Sequence, residues 1–225
     1  MRITLPSGTP AAIARPSGAA TDGPPPMGLV IAPDIFGLRP LYDDLVARLA
    51  DEWNMTVCAV EPFPGRALGS DVEPRFAAVP GIDDDLHLRD LLEAADLIAP
   101  TSGVGLLGFC LGGMYCHKAA RSDRFARIVS FYGMIRVPAG WASAIQGEPL
   151  QHLAAGHPER VLAIVGGQDP YTPAADIEAL EATGVTVVRY PQAEHGFAHD
   201  SSRPGHRPDD AADAFARAHT WLTTA

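Results

Sequence analysis

The segment that most constrains this chain is VGLLGFCLGGMYCHKAA, residues 104–120. An apolar run typical of a buried strand leads into a turn at Cys110, and a helical pattern starts directly after it. A strand that turns so sharply into a helix needs small residues two positions before and two after the turn, and Gly108 and Gly112 meet this need. The segment therefore predicts a strained strand–turn–helix elbow with Cys110 at its tip.

Around this elbow, short apolar runs alternate with longer segments of helical periodicity, as in βα units that build a mostly parallel sheet. Strands are predicted at 29–32, 56–60, 104–109, 128–132, 161–165 and 185–190. Helices are predicted at 40–53, 83–99 and 208–222, which begin with Pro or with acidic residues and carry an apolar stripe. These elements predict an α/β fold with a mostly parallel central sheet and helices on both faces.

The length of 225 residues and the remaining segments predict a single domain. We expect a hairpin at 2–15 and a loop at 19–26, where Pro and Gly are concentrated. The stretch 134–160 lacks a clear period, and long irregular connections of this kind are usually lids or binding loops. No internal repeat is found in the sequence.

The amino-acid composition indicates which partners and which compartment to expect. The formal net charge is −10, with 17 basic residues scattered among 27 acidic ones, so a nucleic-acid partner is not expected. The first residues lack the pattern of a signal peptide, and no stretch is long and apolar enough for a membrane span, so we expect a soluble, cytoplasmic protein and, by default, a monomer. The three cysteines show no disulfide or metal-ligand spacing, and no metal is predicted.

The position of Cys110 would activate its sulfur. Amides at a helix N-terminus favour an anion there, and the N–H of Leu111 then becomes a donor to an oxyanion. The alternative interpretation, a small buried hydrophobic side chain, suits Cys58 in a strand and Cys116 in a helix better than it suits an elbow flanked by glycines.

A thiol nucleophile needs a base, and the base needs a carboxylate that orients it. In folds with such an elbow the acid and then the base follow the nucleophile along the chain. Asp169 lies in GGQDP after the strand predicted at 161–165, and His195 lies in EHGF after the strand that ends at Tyr190. Taken alone, each of these two residues is an ordinary turn or loop residue. Their order after Cys110 predicts a Cys–Asp–His triad.

The loop APDIFGLRP, residues 32–40, follows the first predicted buried strand and should supply the second oxyanion donor, the N–H of Ile35. Asp34 puts a carboxylate near the nucleophile, although an aspartate in such a loop also commonly caps a turn. Phe36 and Tyr132 are predicted to line the pocket. For Trp141, lining the pocket and packing its loop onto the domain are both open interpretations.

With GFCLGG, GGQDP and EHGF in this order, and with the DIFG loop, the chain resembles the dienelactone hydrolase family of the α/β-hydrolase fold over nearly its whole length. The resemblance implies carboxymethylenebutenolidase-like chemistry without a cofactor. A cysteine opens a small enol-lactone to an acyl-enzyme, which water then hydrolyses. By that likeness Cys110 is the nucleophile, His195 the base and Asp169 the residue that orients it.

Two departures from the family pattern concern the substrate and the thiol. The family usually has Glu, thought to contact the resting thiol, where this chain has the shorter Asp34 in the nucleophile-assisting position. Family arginines hold a substrate carboxylate, one before the elbow and one four residues after the catalytic histidine. Arg75 is the candidate for the first, and His199 occupies the second position, where Arg203 is a candidate substitute. Arg75 and His199 from the resemblance, together with Phe36 and Tyr132 from their positions, are the substrate-binding candidates.

The sequence is also consistent with two other functions. A general carboxylesterase or thioesterase would keep the triad and change the small substrate, which is favoured if His199 cannot replace an arginine. A non-catalytic member of the fold would bind a ligand or partner only, since a fold does not by itself imply a function. Neither alternative requires a metal or a cofactor.

Overall fold

The computed structural model describes residues 1–18, 27–99 and 103–224. The strands are β1 (Arg2–Thr4), β2 (Pro10–Ala14), β3 (Gly28–Ala32), β4 (Thr56–Val60), β5 (Val104–Phe109), β6 (Phe125–Phe131), β7 (Val161–Gly166) and β8 (Thr186–Tyr190). The α-helices are α1 (Pro40–Trp53), α2 (Val72–Ala78), α3 (Asp84–Ile98), α4 (Leu111–Ala119), α5 (Pro149–Ala154), α6 (Ala174–Glu181) and α7 (Pro208–Thr223).

The strands form one sheet in the order β1-β2-β4-β3-β5-β6-β7-β8. The hairpin of β1 and β2 joins antiparallel to β4, and all the other neighbours are parallel. The predicted α/β class, the hairpin and the parallel order are therefore confirmed. The loop predicted at 19–26 lies outside the described residues.

Helices cover both faces of the sheet because side chains of a buried strand point alternately to opposite sides. On one face, Leu29 and Ile31 pack with the apolar stripes of α1 and α7. On the other face, Val30 belongs to a core cluster that also contains residues of α3, α4, α5 and α6. The carboxyl ends of the parallel strands thus share one edge, which is where open α/β sheets place their sites.

Several predicted boundaries shift by one to three residues. The strand predicted at 128–132 begins earlier, at Phe125, and ends before Tyr132, whose positive φ of 40° breaks the strand geometry. Asp83 is the N-cap of α3, since its side chain accepts from the N–H groups of Asp85 and Leu86. The prediction that 134–160 is irregular throughout was wrong, because α5 lies within it.

A buried ion pair joins the helices of one face. The ammonium group of Lys118 on α4 lies 2.8 Å and 3.0 Å from the two carboxylate oxygens of Asp84 on α3. Asp84 also accepts from the hydroxyl of Tyr115 and from the N–H of Gly147. These bonds hold α3, α4 and the segment before α5 together. Within the described ranges, no helix is long and apolar enough to cross a membrane.

Candidate active site

The predicted elbow is present, and its backbone is strained. Cys110 adopts φ 54° and ψ −113°, a region that non-glycine residues rarely occupy, and α4 begins at the next residue. The N–H of Cys110 donates to the carbonyl of Phe131 at the end of β6, which fixes the turn. A Cβ on Gly112 would lie 1.9 Å from the carbonyl oxygen of Ala32, so only glycine lets α4 approach β3 this closely.

Asp169 and His195 meet beside the elbow. Asp169 lies in the turn after β7, and its Oδ2 is 2.8 Å from Nδ1 of His195 in the loop after β8. The other carboxylate oxygen, Oδ1, accepts from the N–H of Tyr171, so both oxygens are held. This arrangement leaves Nε2 of His195 as the ring nitrogen that can exchange a proton with a neighbour.

The electrostatics of His195 couple it to the elbow thiol. Burial disfavours the imidazolium, but charge interactions and hydrogen bonds with Cys110 and with Asp169 outweigh this and raise the pKa of His195 to about 10. Burial alone raises the pKa of Cys58 to about 12, and it also raises that of Cys116 well above the ordinary value. Of the three cysteines, only Cys110 interacts with His195.

Two backbone N–H groups fit the predicted oxyanion donors. The N–H groups of Ile35, in the loop after β3, and Leu111, at the start of α4, have no acceptor in the part of the chain that the structure describes. The carbonyl of Asp34 accepts from the N–H of Gly37 at 3.0 Å. Because a trans peptide points its C=O and N–H in opposite directions, this turn fixes the direction of the Ile35 N–H.

The carboxylate of Asp34 is bonded away from the thiol. Arg39 donates to both of its oxygens, at 2.6 and 2.9 Å, and Nε2 of His199 lies 2.8 Å from Oδ2. Burial raises the pKa of Asp34, but His199 and Arg39 outweigh burial and hold that pKa well below its ordinary value. In the part of the chain that the structure describes, no hydrogen bond joins Asp34 to Cys110. The nucleophile-assisting role predicted for Asp34 therefore stays a prediction.

Cys110 and His195 open into one cavity of about 300 Å³. Its walls are mostly apolar, and one guanidinium, that of Arg203, lies among them. The lining residues are Asp34, Ile35, Phe36, Val72, Phe76, Cys110, Met134, Trp141, Tyr171, His195 and Arg203. Phe36 thus lies where it was predicted. For Trp141, both open interpretations apply, since it is buried against Phe76 and also forms part of the wall.

The other three substrate-binding candidates do not line this cavity, which corrects the prediction. Tyr132 is fully buried behind His195, and its hydroxyl lies 2.5 Å from Nδ1 of His199. His199 is buried between Tyr132 and Asp34, so its side chain is already bonded on both sides. Arg75 lies in an adjoining groove, where it donates to the carbonyl oxygens of Gly69 and Ile35.

Sequence reasoning missed several residues of the cavity wall. Tyr171 is half exposed, and its ring lies edge-on to His195 with centroids 4.8 Å apart. Its position two residues after Asp169, in the same turn, was the available signal. Val72, Phe76 and Met134 carry no motif and enter the site only through folding. No cluster of three potential metal ligands occurs within the described ranges.

The elbow, the Asp–His pair at the carboxyl edge and the two free N–H groups define an α/β hydrolase. The dienelactone hydrolase family model matches residues 10–225. The chain belongs to this family and is a hydrolase that acts on ester or lactone bonds.

Three relatives illustrate the similarity. A carboxymethylenebutenolidase of Pseudomonas putida is 30% identical over 203 residues, 82% of this chain and 80% of that protein. Carboxymethylenebutenolidase 2 of Cupriavidus pinatubonensis is 28% identical over 193 residues, 82% of this chain and 78% of that protein. A Klebsiella pneumoniae crystal structure provisionally assigned as a dienelactone hydrolase superposes with a TM-score of 0.86 at 27% identity and covers 100% of this chain and 98% of that one.

Proposed function

We propose that this chain hydrolyses a small lactone or ester through an acyl-thioester on Cys110. The observation that carries the proposal is the strained elbow cysteine, which shares one cavity with a histidine already bonded to a buried aspartate. A base held by a carboxylate beside a nucleophile at a helix N-terminus is the arrangement that acyl transfer requires.

The acylation step follows from these positions. His195 takes the thiol proton, and the resulting thiolate of Cys110 attacks the carbonyl carbon, whose oxygen becomes an oxyanion facing the N–H groups of Ile35 and Leu111. As the intermediate collapses, the carbon–oxygen bond to the leaving group breaks and the imidazolium returns the proton to the leaving oxygen. For a lactone the leaving oxygen stays attached to the acyl group.

Deacylation reverses these roles. His195 removes a proton from water, the water oxygen attacks the thioester carbon, and the carbon–sulfur bond breaks as the second oxyanion collapses. The sulfur leaves as thiolate, and the imidazolium restores the resting pair. Asp169 keeps the His195 ring in the required tautomer throughout both steps, because its Oδ2 is bonded to Nδ1.

The substrate class follows from the cavity wall. About 300 Å³ admits a small molecule only, and the apolar side chains favour an apolar body. The guanidinium of Arg203 has no hydrogen bond or ion pair within the described residues, and it packs against Gly196, whose missing Cβ leaves the space. An unpaired guanidinium at a cavity wall favours a carboxylate on the substrate.

The nucleophile is tested with Cys110→Ala and Cys110→Ser on dienelactone and p-nitrophenyl acetate. We expect both variants to lose at least about 10³-fold in kcat, because thiolate attack is the first chemical step. Wild-type enzyme quenched during turnover should show a covalent acyl adduct on the peptide containing Cys110 by mass spectrometry. Cys58→Ala is the matched control and should keep its activity. Full activity in Cys110→Ala would rule out the mechanism.

The substrate carboxylate is tested by comparing dienelactone with its methyl ester. In the wild type, we expect the free acid to have a KM about tenfold lower than the ester. Arg203→Gln should remove this preference and leave p-nitrophenyl acetate hydrolysis within about twofold. If the wild type does not prefer the acid but hydrolyses simple esters well, the triad stands and the general carboxylesterase becomes the better assignment.

A further inference from the structure

A second Asp–His pair is formed by Asp34, which lines the cavity, and His199, which is buried behind it. Four side chains form one hydrogen-bonded series, called here the Asp34 network: Arg39, Asp34, His199 and Tyr132. Only Asp34 reaches the cavity wall, while the other three members lie outside the lining. The proposed mechanism gives this network no chemical step.

Every polar atom of Asp34 has a partner. Its backbone N–H donates to the hydroxyl of Tyr42 at 2.7 Å, and its carbonyl accepts from the N–H of Gly37. Its Oδ1 accepts from the N–H of Phe36 and from Arg39, and its Oδ2 from Arg39 and His199. A residue held at all these atoms cannot rotate without breaking several bonds, so the Asp34–Ile35 peptide plane is fixed.

The far end of the network is equally constrained. Tyr132 is fully buried with a positive φ of 40°, and its N–H donates to the carbonyl of Ile164 at 2.7 Å. Both ring nitrogens of His199 have a partner, since Nε2 faces Oδ2 of Asp34 and Nδ1 faces the Tyr132 hydroxyl, which can donate or accept. Strained conformations of this kind persist where surrounding contacts over-determine them.

We propose that the Asp34 network is a positioning device that holds the Ile35 N–H in the direction required by the oxyanion. The inference rests on the proposed acyl-transfer function. His199, Tyr132 and Arg39 are positioning residues, since they act through Asp34 and touch neither the substrate nor the sulfur. In this proposal, Arg39, His199 and Tyr132 support the oxyanion of acylation and deacylation, and thiolate formation does not depend on them.

This separation gives a test that a structural role alone would not pass. Iodoacetamide alkylates a thiolate by displacement: a sulfur–carbon bond forms, iodide leaves and no oxyanion develops. Alkylation of the native protein reports Cys110, because Cys58 and Cys116 are fully buried. A loss of oxyanion support therefore lowers hydrolysis and leaves alkylation unchanged, whereas a disturbed elbow lowers both.

The primary variant is Tyr132→Phe, which removes one hydroxyl and keeps the ring beside His195. We expect kcat for p-nitrophenyl acetate to fall about 5- to 30-fold, less than the roughly 10²–10³-fold loss when an oxyanion donor itself is removed. KM should stay within about threefold and the alkylation rate within about twofold. Tyr115→Phe is the matched control, since Tyr115 is equally buried and donates to Asp84 away from the cavity, and its kcat should not change.

The second comparison uses conservative rescue at His199. The amide of His199→Gln can both donate to Asp34 and accept from Tyr132, so we expect its kcat within about fivefold of the wild type. His199→Met makes neither bond, and its kcat should fall about 10²-fold. Unchanged hydrolysis in Tyr132→Phe, or a parallel loss of alkylation, would overturn the proposal. Hydrolysis that persists in Cys110→Ala would instead defeat the proposed function itself.

Discussion

Substituting Gly112 by Ala tests the close approach on which the elbow depends. Gly112 is the second residue of α4, and a Cβ placed there would meet the carbonyl oxygen of Ala32 at 1.9 Å and that of Pro33 at 2.5 Å. Both contacts are backbone atoms and cannot rotate away. An ordinary van der Waals contact begins near 3.4 Å, so the start of α4 and the end of β3 must separate by about 1.5 Å.

That displacement acts directly on the oxyanion site. One predicted donor is the N–H of Leu111, at the start of α4. The other is the N–H of Ile35, two residues after Pro33. The substitution therefore increases the distance between the two donors. A misplacement of roughly 1 Å can cost about 10²-fold in rate, and we expect kcat to fall at least that far. Overpacking a tight contact costs about 1–3 kcal/mol, which for a chain of 225 residues is a decrease of roughly 3–10 °C in Tm.

The assay compares kcat for p-nitrophenyl acetate and Tm by calorimetry in Gly112→Ala and in a matched glycine variant. Gly103→Ala is suitable, because a Cβ there would meet nothing within 4 Å and its φ is not positive. We expect Gly103→Ala to keep both the wild-type kcat and the wild-type Tm. If Gly112→Ala also keeps both, the elbow tolerates a side chain, and the steric account of its glycines is wrong.

Three further outcomes are expected. Asp169→Asn should lower kcat about 10³- to 10⁴-fold with little change in Tm, because the amide favours the wrong tautomer of His195, and a loss below tenfold would contradict the orienting role. Cys110→Ala removes two of the four interactions that raise the pKa of His195 and leaves burial, which lowers it, so NMR titration should find that pKa at least one unit below the wild-type value; an unchanged pKa would show that Cys110 is not its partner. Lys118→Met leaves Asp84 buried without its cation, so urea denaturation should show a loss of about 3–5 kcal/mol with kcat unchanged, and a neutral effect would mean that the ion pair contributes nothing to stability.

The arrangement of Cys110, Asp169 and His195 could be predicted because each follows a strand of one parallel sheet. Parallel strands present their carboxyl ends at a common edge, so apolar runs and turn residues are enough to bring these three side chains together. The glycines around Cys110 also indicate the close approach in the sequence itself, because only a residue without a Cβ fits there. The position of the loop with the proposed oxyanion donor Ile35 was predictable for the same reason, because this loop follows the neighbouring strand β3.

The side chains that line the cavity wall could not all be predicted in this way. Arg75 lies on α2 and Arg203 in the loop before α7, and only the folded chain shows that Arg75 donates to two backbone carbonyls while Arg203 faces the cavity. The positive φ of Tyr132 likewise has no signal in the sequence, because the strained conformation is imposed by bonds to β7 and His199. The direction in which such a side chain points depends on contacts with residues that are far away in the sequence.

The two histidines of the loop after β8 show what distinguishes a candidate base from a supporting residue. His195 and His199 each have a ring nitrogen 2.8 Å from an aspartate oxygen, so pairing alone does not separate them. The His195 side chain is 13% exposed and lines the cavity with Cys110, whereas the His199 side chain is fully buried and both its nitrogens are bonded. A base must keep one nitrogen free for the reacting proton, and in His199 the Tyr132 hydroxyl occupies it. An Asp–His pair is therefore a catalytic candidate only where the second nitrogen opens toward a nucleophile.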